Sequence, residues 1–211
     1  MKSSRKTVFY ADFSFEVFEE VYEPAEDTFL IADKLGQAIL EGDAVLDIGT
    51  GCGILAVTAS KKASKVVATD ANPHAVECAK RNAKANKASS KVEVRFGDLF
   101  APVSKAEKFD VILFNAPYLP SPPKEQKAWI SRAWAGGRNG RQIIDDFITN
   151  APNYLKENGR ILIVQSTLSN VQRTLMRFRD IGVDAKILAE KKVAFETIVV
   201  IQASHLSKQS I

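Results

Sequence analysis

Ala44-Val-Leu-Asp47-Ile-Gly49-Thr-Gly51-Cys-Gly53-Ile-Leu-Ala-Val57 is the stretch whose reading decides the fold. Its opening residues, Ala44 to Ile48, are a short apolar run closed by glycine, which is how a strand buried on both faces reads. From Ile54 to Ala59 the residues are apolar or small and read as a helix, with Lys61 and Lys62 at the end where positive charge complements the helix dipole. The glycines lie at the junction. Without a Cβ they let the backbone turn sharply and approach a ligand, and the helix behind them aims free amide N–H groups at negative charge.

The next strand, Lys65 to Asp70, ends on a carboxylate 23 residues after Asp47. Neighbouring parallel strands end at one sheet edge, so Asp70 is placed to accept from two ribose hydroxyls of a nucleotide over the glycine loop. The dinucleotide fingerprint requires G-x-G-x-x-G, whereas here Ile54 stands at the last glycine and the spacing is G-x-G-x-G. Asp47 beside the loop is awkward for a pyrophosphate but suits the ammonium of a methionyl group. S-adenosylmethionine therefore outranks NAD. Asp98, after the third strand, can accept from an adenine amino group with Leu99 packed on the ring, and a turn or helix-cap role for Asp98 is the equal alternative.

Outward from this centre, residues 7 to 22 alternate as extended chain and a helix runs from Pro24 to Leu40, with Glu26 and Asp27 in its first turn. Asn72-Pro73 caps a helix whose apolar face carries Val76, Ala79 and Ala83. Strands follow at Val92 to Phe96 and Phe109 to Asn115, then irregular chain from Ala116 to Gly140 and a helix from Gln142 to Leu155. A strand from Ile161 to Gln165, a helix from Leu168 to Ile181, and strands Ala185 to Ala189 and Phe195 to Ile201 close the order. The alternation predicts an α/β fold, a seven-stranded and mostly parallel sheet with helices on both faces and an antiparallel edge hairpin. One domain over 1–203 is expected, with 1–23 an N-terminal extension packed on it and a disordered tail over 204–211.

Composition narrows the class. With 211 residues, 45% hydrophobic and 26% charged, the chain is neither collagen-like, disordered nor a disulfide scaffold. No apolar run approaches the roughly 18 residues of a membrane span, and the start lacks a signal-peptide core, so a cytoplasmic location without membrane contact is expected. Cys52 and Cys78 lack metal-ligand spacing, which leaves buried free thiols, no metal site and no disulfide as the expectation. A net charge of +4 tolerates an anionic partner without the concentrated charge of a dedicated nucleic-acid binder.

The fourth strand delivers Asn115-Ala-Pro-Tyr118 at the edge where α/β ligands bind. An amide or aromatic amine is a poor nucleophile because its nitrogen lone pair is delocalised. Two acceptors on its NH₂ raise the electron density on nitrogen, and Asn115 can supply one through its side-chain oxygen and Ala116 the other through its carbonyl. Pro117 stiffens the turn, and the Tyr118 ring can pack on a flat target. No strong base is needed, because the proton can leave after methyl transfer. Taken without its neighbours, the tetrapeptide reads as an ordinary turn.

The chain resembles the HemK-type amide methyltransferases, in particular the archaeal and eukaryotic branch that methylates the glutamine of the Gly-Gly-Gln motif in class I peptide release factors. The resemblance rests on Val21-Tyr-Glu-Pro-Ala-Glu-Asp-Thr28-Phe-Leu, Asp47 to Gly53, Thr69-Asp-Ala-Asn-Pro73, Asn115 to Tyr118, and Ala133-Trp-Ala-Gly-Gly-Arg-Asn-Gly-Arg141. It implies a class I S-adenosylmethionine-dependent methyltransferase (Rossmann-like) fold, with S-adenosyl-L-methionine as methyl donor and N5-methylglutamine as product. Cofactor contacts then fall on Thr28, Asp47, Gly49, Gly51, Gly53, Asp70, Ala71, Asp98, Leu99 and Asn115, and the target amide on Asn115 to Tyr118. Relatives in this branch work with a small zinc-binding activator subunit, so a heterodimer is implied. Two departures stand out. Ala116 replaces the family's usual proline, which loosens the turn, and the chain starts too close to the methyltransferase fold for the N-terminal helical domain of bacterial relatives. Recognition then falls to a partner or to the loop from Leu119 to Arg141, where Lys124, Lys127, Arg132, Arg138 and Arg141 alternate with Trp129 and Trp134. The tryptophans either meet an acidic or ribonucleoprotein-associated substrate or pack beneath the loop. An adenine N6 methyltransferase acting on DNA or RNA remains the rival enzyme, since adenine presents the same flat NH₂, and a non-catalytic cofactor-binding module is the other alternative; nucleic acid is disfavoured by the absence of a broad basic face.

Overall fold

The computed structural model describes residues 6–121 and 128–205. A hairpin of β1 (Lys6–Tyr10) and β2 (Phe13–Val17) precedes α1 (Glu26–Ala38), β3 (Ala44–Ile48), α2 (Ile54–Ala59), β4 (Lys65–Asp70), α3 (Pro73–Ala85), β5 (Val92–Phe96) and β6 (Phe109–Asn115). After them come α4 (Trp129–Arg132), α5 (Gln142–Asn150), β7 (Leu155–Ser166), α6 (Val171–Asp180), β8 (Val183–Lys192) and β9 (Thr197–His205). Strands β3 to β9 form one sheet in the order β5-β4-β3-β6-β7-β9-β8. The five strands from β5 to β7 pair in parallel, and β9 runs antiparallel to both β7 and β8.

That order makes β3 the switch point: the chain steps outward through β4 and β5, then returns to lay β6 on the other side of β3. Helices following the two halves leave in opposite directions and open a crevice at the carboxyl ends. The register fixes which residues meet there. Ile48 pairs with Thr69 on one side and Phe114 on the other, so the next residues, Gly49, Asp70 and Asn115, stand on one row.

Alternate strand residues face two cores. Val45, Val66, Val111, Leu113, Leu162, Val164 and Val200 pack with α1, α2 and α3, while Leu46, Ile48, Ile112, Phe114, Ile161 and Ile163 pack with α5 and α6. Burial on both faces explains why these strands read as unbroken apolar runs. The extended N-terminal stretch is a separate hairpin docked on α3 by asparagines. Asn82 Nδ2 donates to the Glu16 carbonyl at 2.8 Å while its Oδ1 accepts from the Glu16 N–H at 2.9 Å, and Asn86 repeats the exchange with Ser14. Each side-chain amide takes the place of a strand neighbour.

Several boundaries differ from the sequence expectation for local reasons. The first helix starts at Glu26 and ends at Ala38, with Ile39 already extended. The helix expected to reach Leu155 stops at Asn150, because Pro152 has no N–H to continue it, and a 3₁₀ turn fills Ala151–Tyr154. That expected from Leu168 is split by Asn170 at φ 58°, whose side chain caps α6 by accepting from the Arg173 N–H at 3.1 Å. The strand expected over Ile161 to Gln165 extends to Leu155–Ser166, and the closing strands shift to Val183–Lys192 and Thr197–His205. Ser204 and His205, placed in the tail by the sequence reading, belong to β9, with His205 paired to Val183. Residues 206–211 lie outside the described residues.

Candidate active site

A cavity of about 720 Å³ opens at the carboxyl ends of β3, β4 and β6, within the range of small-molecule sites. The glycine loop forms its floor. Gly51 has φ +57° with open space where a Cβ would stand, so glycine here supplies both the left-handed turn and clearance for a ligand. Its N–H donates to Asp70 Oδ2 at 2.9 Å, and the Asn72 N–H donates to Asp70 Oδ1 at 2.8 Å. The Asp70 carboxylate is thus oriented by backbone and retains lone pairs for two further donors. Burial raises its pKa while these backbone N–H groups oppose the rise. Gly49, Ala71, Asp98 and Leu99 line the same cavity.

Two expected cofactor residues lie elsewhere: Asp47 and Gly53 do not line the cavity. Asp47 is fully buried beneath the loop, where Oδ2 accepts from the Thr50 hydroxyl at 2.6 Å and Oδ1 has no hydrogen-bond partner among the described residues. Burial pushes its carboxyl up to about 7. The Thr50 hydroxyl bond ties it to the glycine loop from below. Gly53 caps α2 and packs on Ala79 of α3, with Asn82 Nδ2 donating to the adjacent Cys52 carbonyl at 2.8 Å. Asn82 thereby joins the loop, α3 and the N-terminal hairpin, a role that an asparagine on a helix does not announce in sequence. Cys52 and Cys78 are free and buried, and burial raises their thiols to about 12 and about 11, so neither is a thiolate nucleophile at neutral pH.

At the end of β6, Asn115 Nδ2 donates to Thr28 Oγ1 at 3.0 Å. The Thr28 hydroxyl is itself committed as a donor to Asp27 Oδ1 at 3.2 Å, so it can only accept from Asn115. This pins the amide orientation: NH₂ against Thr28, and a buried Oδ1 with no hydrogen-bond partner among the described residues. Thr28, expected at the cofactor, lines the cavity and also orients Asn115. Ala116, Pro117 and Tyr118 line the same cavity, and the Tyr118 hydroxyl donates to Asp27 Oδ2 at 3.4 Å. Tyr22 donates to the same carboxylate, 3.2 Å from each oxygen. Burial and the Asp27 charge raise both phenols above their ordinary pKa and keep them protonated. Asp27 and Tyr22 escaped the sequence reading, which took Asp27 as a helix-dipole residue. Its signal was the quoted Val21 to Leu30 segment, in which Asp27 directly precedes Thr28.

The glycine-rich segment after α4 is wrapped around the tetrapeptide. Leu119 N–H donates to the Trp134 carbonyl and Gly136 N–H to the Leu119 carbonyl, both at 2.9 Å, and Ser121 N–H reaches the Gly137 carbonyl at 2.9 Å. A Cβ on Gly140, at φ +70°, would stand 2.2 Å from the Tyr118 carbonyl oxygen. Trp129, Arg132 and Trp134 line the cavity, with the Arg132 guanidinium 4.7 Å from the Trp129 ring centre; the tryptophans therefore border the opening rather than pack beneath the loop. Arg138 is exposed. Arg141 is not a surface charge: it is 2% exposed, paired with Asp145 at 2.7 Å and donating to the Asn170 carbonyl at 2.9 Å and the Thr174 hydroxyl at 3.0 Å. Lys124 and Lys127 lie outside the described residues.

Residues 25–187 match the family described as methyltransferase small domain. A Methanocaldococcus jannaschii chain named for protein N5-glutamine methyltransferase activity is 43% identical, covering 89% of this chain and 93% of its own length. Human methyltransferase HEMK2 is 33% identical over 93% of this chain and 95% of its own. Among solved structures, E. cuniculi Mtq2 in its complex with Trm112, described as methylating the eRF1 translation termination factor, superimposes with a TM-score of 0.67 at 27% identity, covering 89% of this chain and 99% of that one.

Proposed function

The chain belongs to the methyltransferase small domain family, within the N5-glutamine methyltransferase branch that includes HEMK2, and from this premise we propose that it transfers a methyl group from S-adenosyl-L-methionine to the glutamine side-chain nitrogen in the Gly-Gly-Gln motif of a class I peptide release factor. The observation that carries the reading is the Asn115 amide, whose oxygen is buried, unpartnered and fixed in orientation by Thr28. That geometry offers an acceptor to one N–H of a planar NH₂ and leaves the Ala116 carbonyl for the other. Tyr118 supplies a ring for the flat amide, stiffened from behind by the glycine segment.

The cofactor fits the residues present. Asp70 keeps lone pairs for two ribose hydroxyls, Gly51 leaves clearance for the methionyl moiety, and Ala71, Asp98 and Leu99 border the place for adenine. When bound, S-adenosylmethionine supplies an electrophilic methyl on a sulfonium. The protein's part is to hold the amide nitrogen in line with it and to raise electron density on that nitrogen through Asn115 and Ala116. The proton leaves after transfer, so the acceptors need not be basic beforehand. Asp47, expected beside the ammonium group, is assigned instead to the shape of the loop.

The assembly of the Mtq2 relative with Trm112 supports a small activator subunit here, one that the resemblance implies to bind zinc. Among the described residues no helix is long and apolar enough to cross a membrane; a release-factor substrate places the proposed activity in the cytoplasm, beside the translation machinery. We take the methyltransferase domain to run to the end of β9 at His205 rather than to 203, with the N-terminal hairpin packed on it. The test is transfer of labelled methyl to a purified archaeal or eukaryotic-type release factor, with and without an activator subunit, beside a Gln→Ala variant of its Gly-Gly-Gln motif and a DNA control. Label on the wild-type factor alone establishes glutamine methylation; label on DNA alone moves the assignment to adenine.

A further inference from the structure

Asp27 is the second residue of α1, where a carboxylate ordinarily lies in solvent and complements the helix dipole. Its neighbour Glu26 does so, exposed and paired with Lys191 of β8. Asp27 instead is 5% exposed and lines the cavity. A carboxylate is costly to bury unless donors surround it. Its donors among the described residues are the Thr28 N–H, 2.6 Å from Oδ1, and three hydroxyls: Thr28, 3.2 Å from Oδ1, Tyr22, 3.2 Å from each oxygen, and Tyr118, 3.4 Å from Oδ2. No cationic side chain is among them. Two of these contacts lead to the residues that face the target amide: Tyr118 directly, and Asn115 through its Nδ2 bond of 3.0 Å to Thr28 Oγ1.

A carboxylate accepts and does not donate, so each hydroxyl that meets it directs its single proton there. For Thr28 this leaves lone pairs toward Asn115, which sets the Asn115 NH₂ against Thr28 and leaves its Oδ1 without a hydrogen-bond partner among the described residues. For Tyr118 it holds the hydroxyl end of the ring against α1. A carboxamide of the same shape would act differently. The Thr28 N–H requires an oxygen at the Oδ1 position, so the NH₂ would occupy the Oδ2 position and present a proton to Tyr118 where an acceptor stood.

We propose that Asp27 is a positioning residue for methyl transfer: it takes the hydroxyl protons of Thr28 and Tyr118 and so holds the Asn115 amide and the Tyr118 ring in the arrangement that meets the target nitrogen. The inference rests on the amide-transfer reading above. Loss of that arrangement displaces the nitrogen from the line of attack, which lowers turnover more than substrate or cofactor affinity.

The experiment measures kcat and KM for release-factor methylation in wild type, Asp27→Asn, Asp27→Ala, Tyr118→Phe and the Asp27→Asn/Tyr118→Phe double variant, with the Kd for S-adenosylmethionine by calorimetry and melting temperatures alongside. Asp27→Asn should lower kcat about tenfold with KM and Kd within about threefold. In the Tyr118→Phe background it should change nothing further, because the hydroxyl through which it acts is gone. Asp27→Ala, which releases Thr28 as well, should lower kcat about 100-fold. Should the alanine chain fail to fold, Asp27→Asn still decides the Tyr118 contact, and Thr28→Val, which removes the acceptor that orients Asn115, should show the deeper kcat loss. Wild-type kcat in Asp27→Asn, an equal loss with and without the Tyr118 hydroxyl, or an alanine loss no deeper than that of asparagine overturns the inference while leaving glutamine methylation intact. A wild-type chain that leaves the factor unlabelled even with an activator subunit overturns both.

Discussion

At Asn115 one hydrogen bond decides which atom the site presents. Because Thr28 donates to Asp27, it accepts from the Asn115 NH₂, and the amide oxygen is left without a hydrogen-bond partner among the described residues, free for the acceptor role proposed above. Asn115→Ala removes that acceptor and should lower transfer at least about 100-fold, while cofactor affinity, measured by calorimetry, changes no more than a few fold. Asp47 makes a different prediction at the same scale. Its carboxyl is raised to about 7 by burial, so the folded state favours the protonated form. Its stabilising contribution is complete below the unfolded pKa near 3.8 and is lost as pH rises through about 7. Asp47→Asn removes the titration. Denaturant melts should show the variant gaining on wild type between pH 4 and pH 8 by an amount on the order of a few kcal/mol, and a gap independent of pH would refute the burial argument.

At the scale of elements, rigidity of the tetrapeptide comes from a segment distant in sequence. Ala116 lacks the ring that would stiffen the turn, yet the bonds from Leu119 to Trp134 and from Gly136 to Leu119 hold the chain beyond it. Gly140→Ala places a methyl on the Tyr118 carbonyl at a left-handed φ. It should cost about 1–3 kcal/mol of stability and depress turnover, with thermal melts and initial rates as the readouts. Arg141 anchors the end of this segment to α6 through the Thr174 hydroxyl and to Asp145 on α5. Arg141→Met leaves Asp145 short of its most buried partner and should destabilise the fold by about 3 kcal/mol, read from denaturant midpoints at neutral pH.

For the molecule as a whole, the switch point at β3 unites residues from separate regions of the chain. Gly49, Asp70 and Asn115 share a row because β4 and β6 flank the same strand. Ligand binding in this crevice therefore couples both halves of the sheet to one equilibrium. Saturating S-adenosylmethionine at about 100 times its Kd should add about 2.7 kcal/mol and raise the melting temperature by several degrees. In Asp70→Ala the rise at the same concentration should shrink or vanish. A full rise would remove Asp70 from the ribose.

The sequence by itself determined the α/β order, the parallel sheet with its antiparallel edge, the glycine loop and the tetrapeptide, because each is written locally: apolar runs for doubly buried strands, glycines for a positive-φ turn, a polar residue at a strand end. Helix ends were less legible, since Pro152 and Asn170 act through single missing or supplied hydrogen bonds. Only the tertiary structure decided that Asp47 lies under the loop, that Arg141 is buried, and that the Tyr22 and Tyr118 hydroxyls meet on Asp27. Burial and hydrogen-bond partnership depend on which distant segments the fold brings together, and the Tyr118 hydroxyl reaches a carboxylate 91 residues earlier only because α1 packs beside the end of β6.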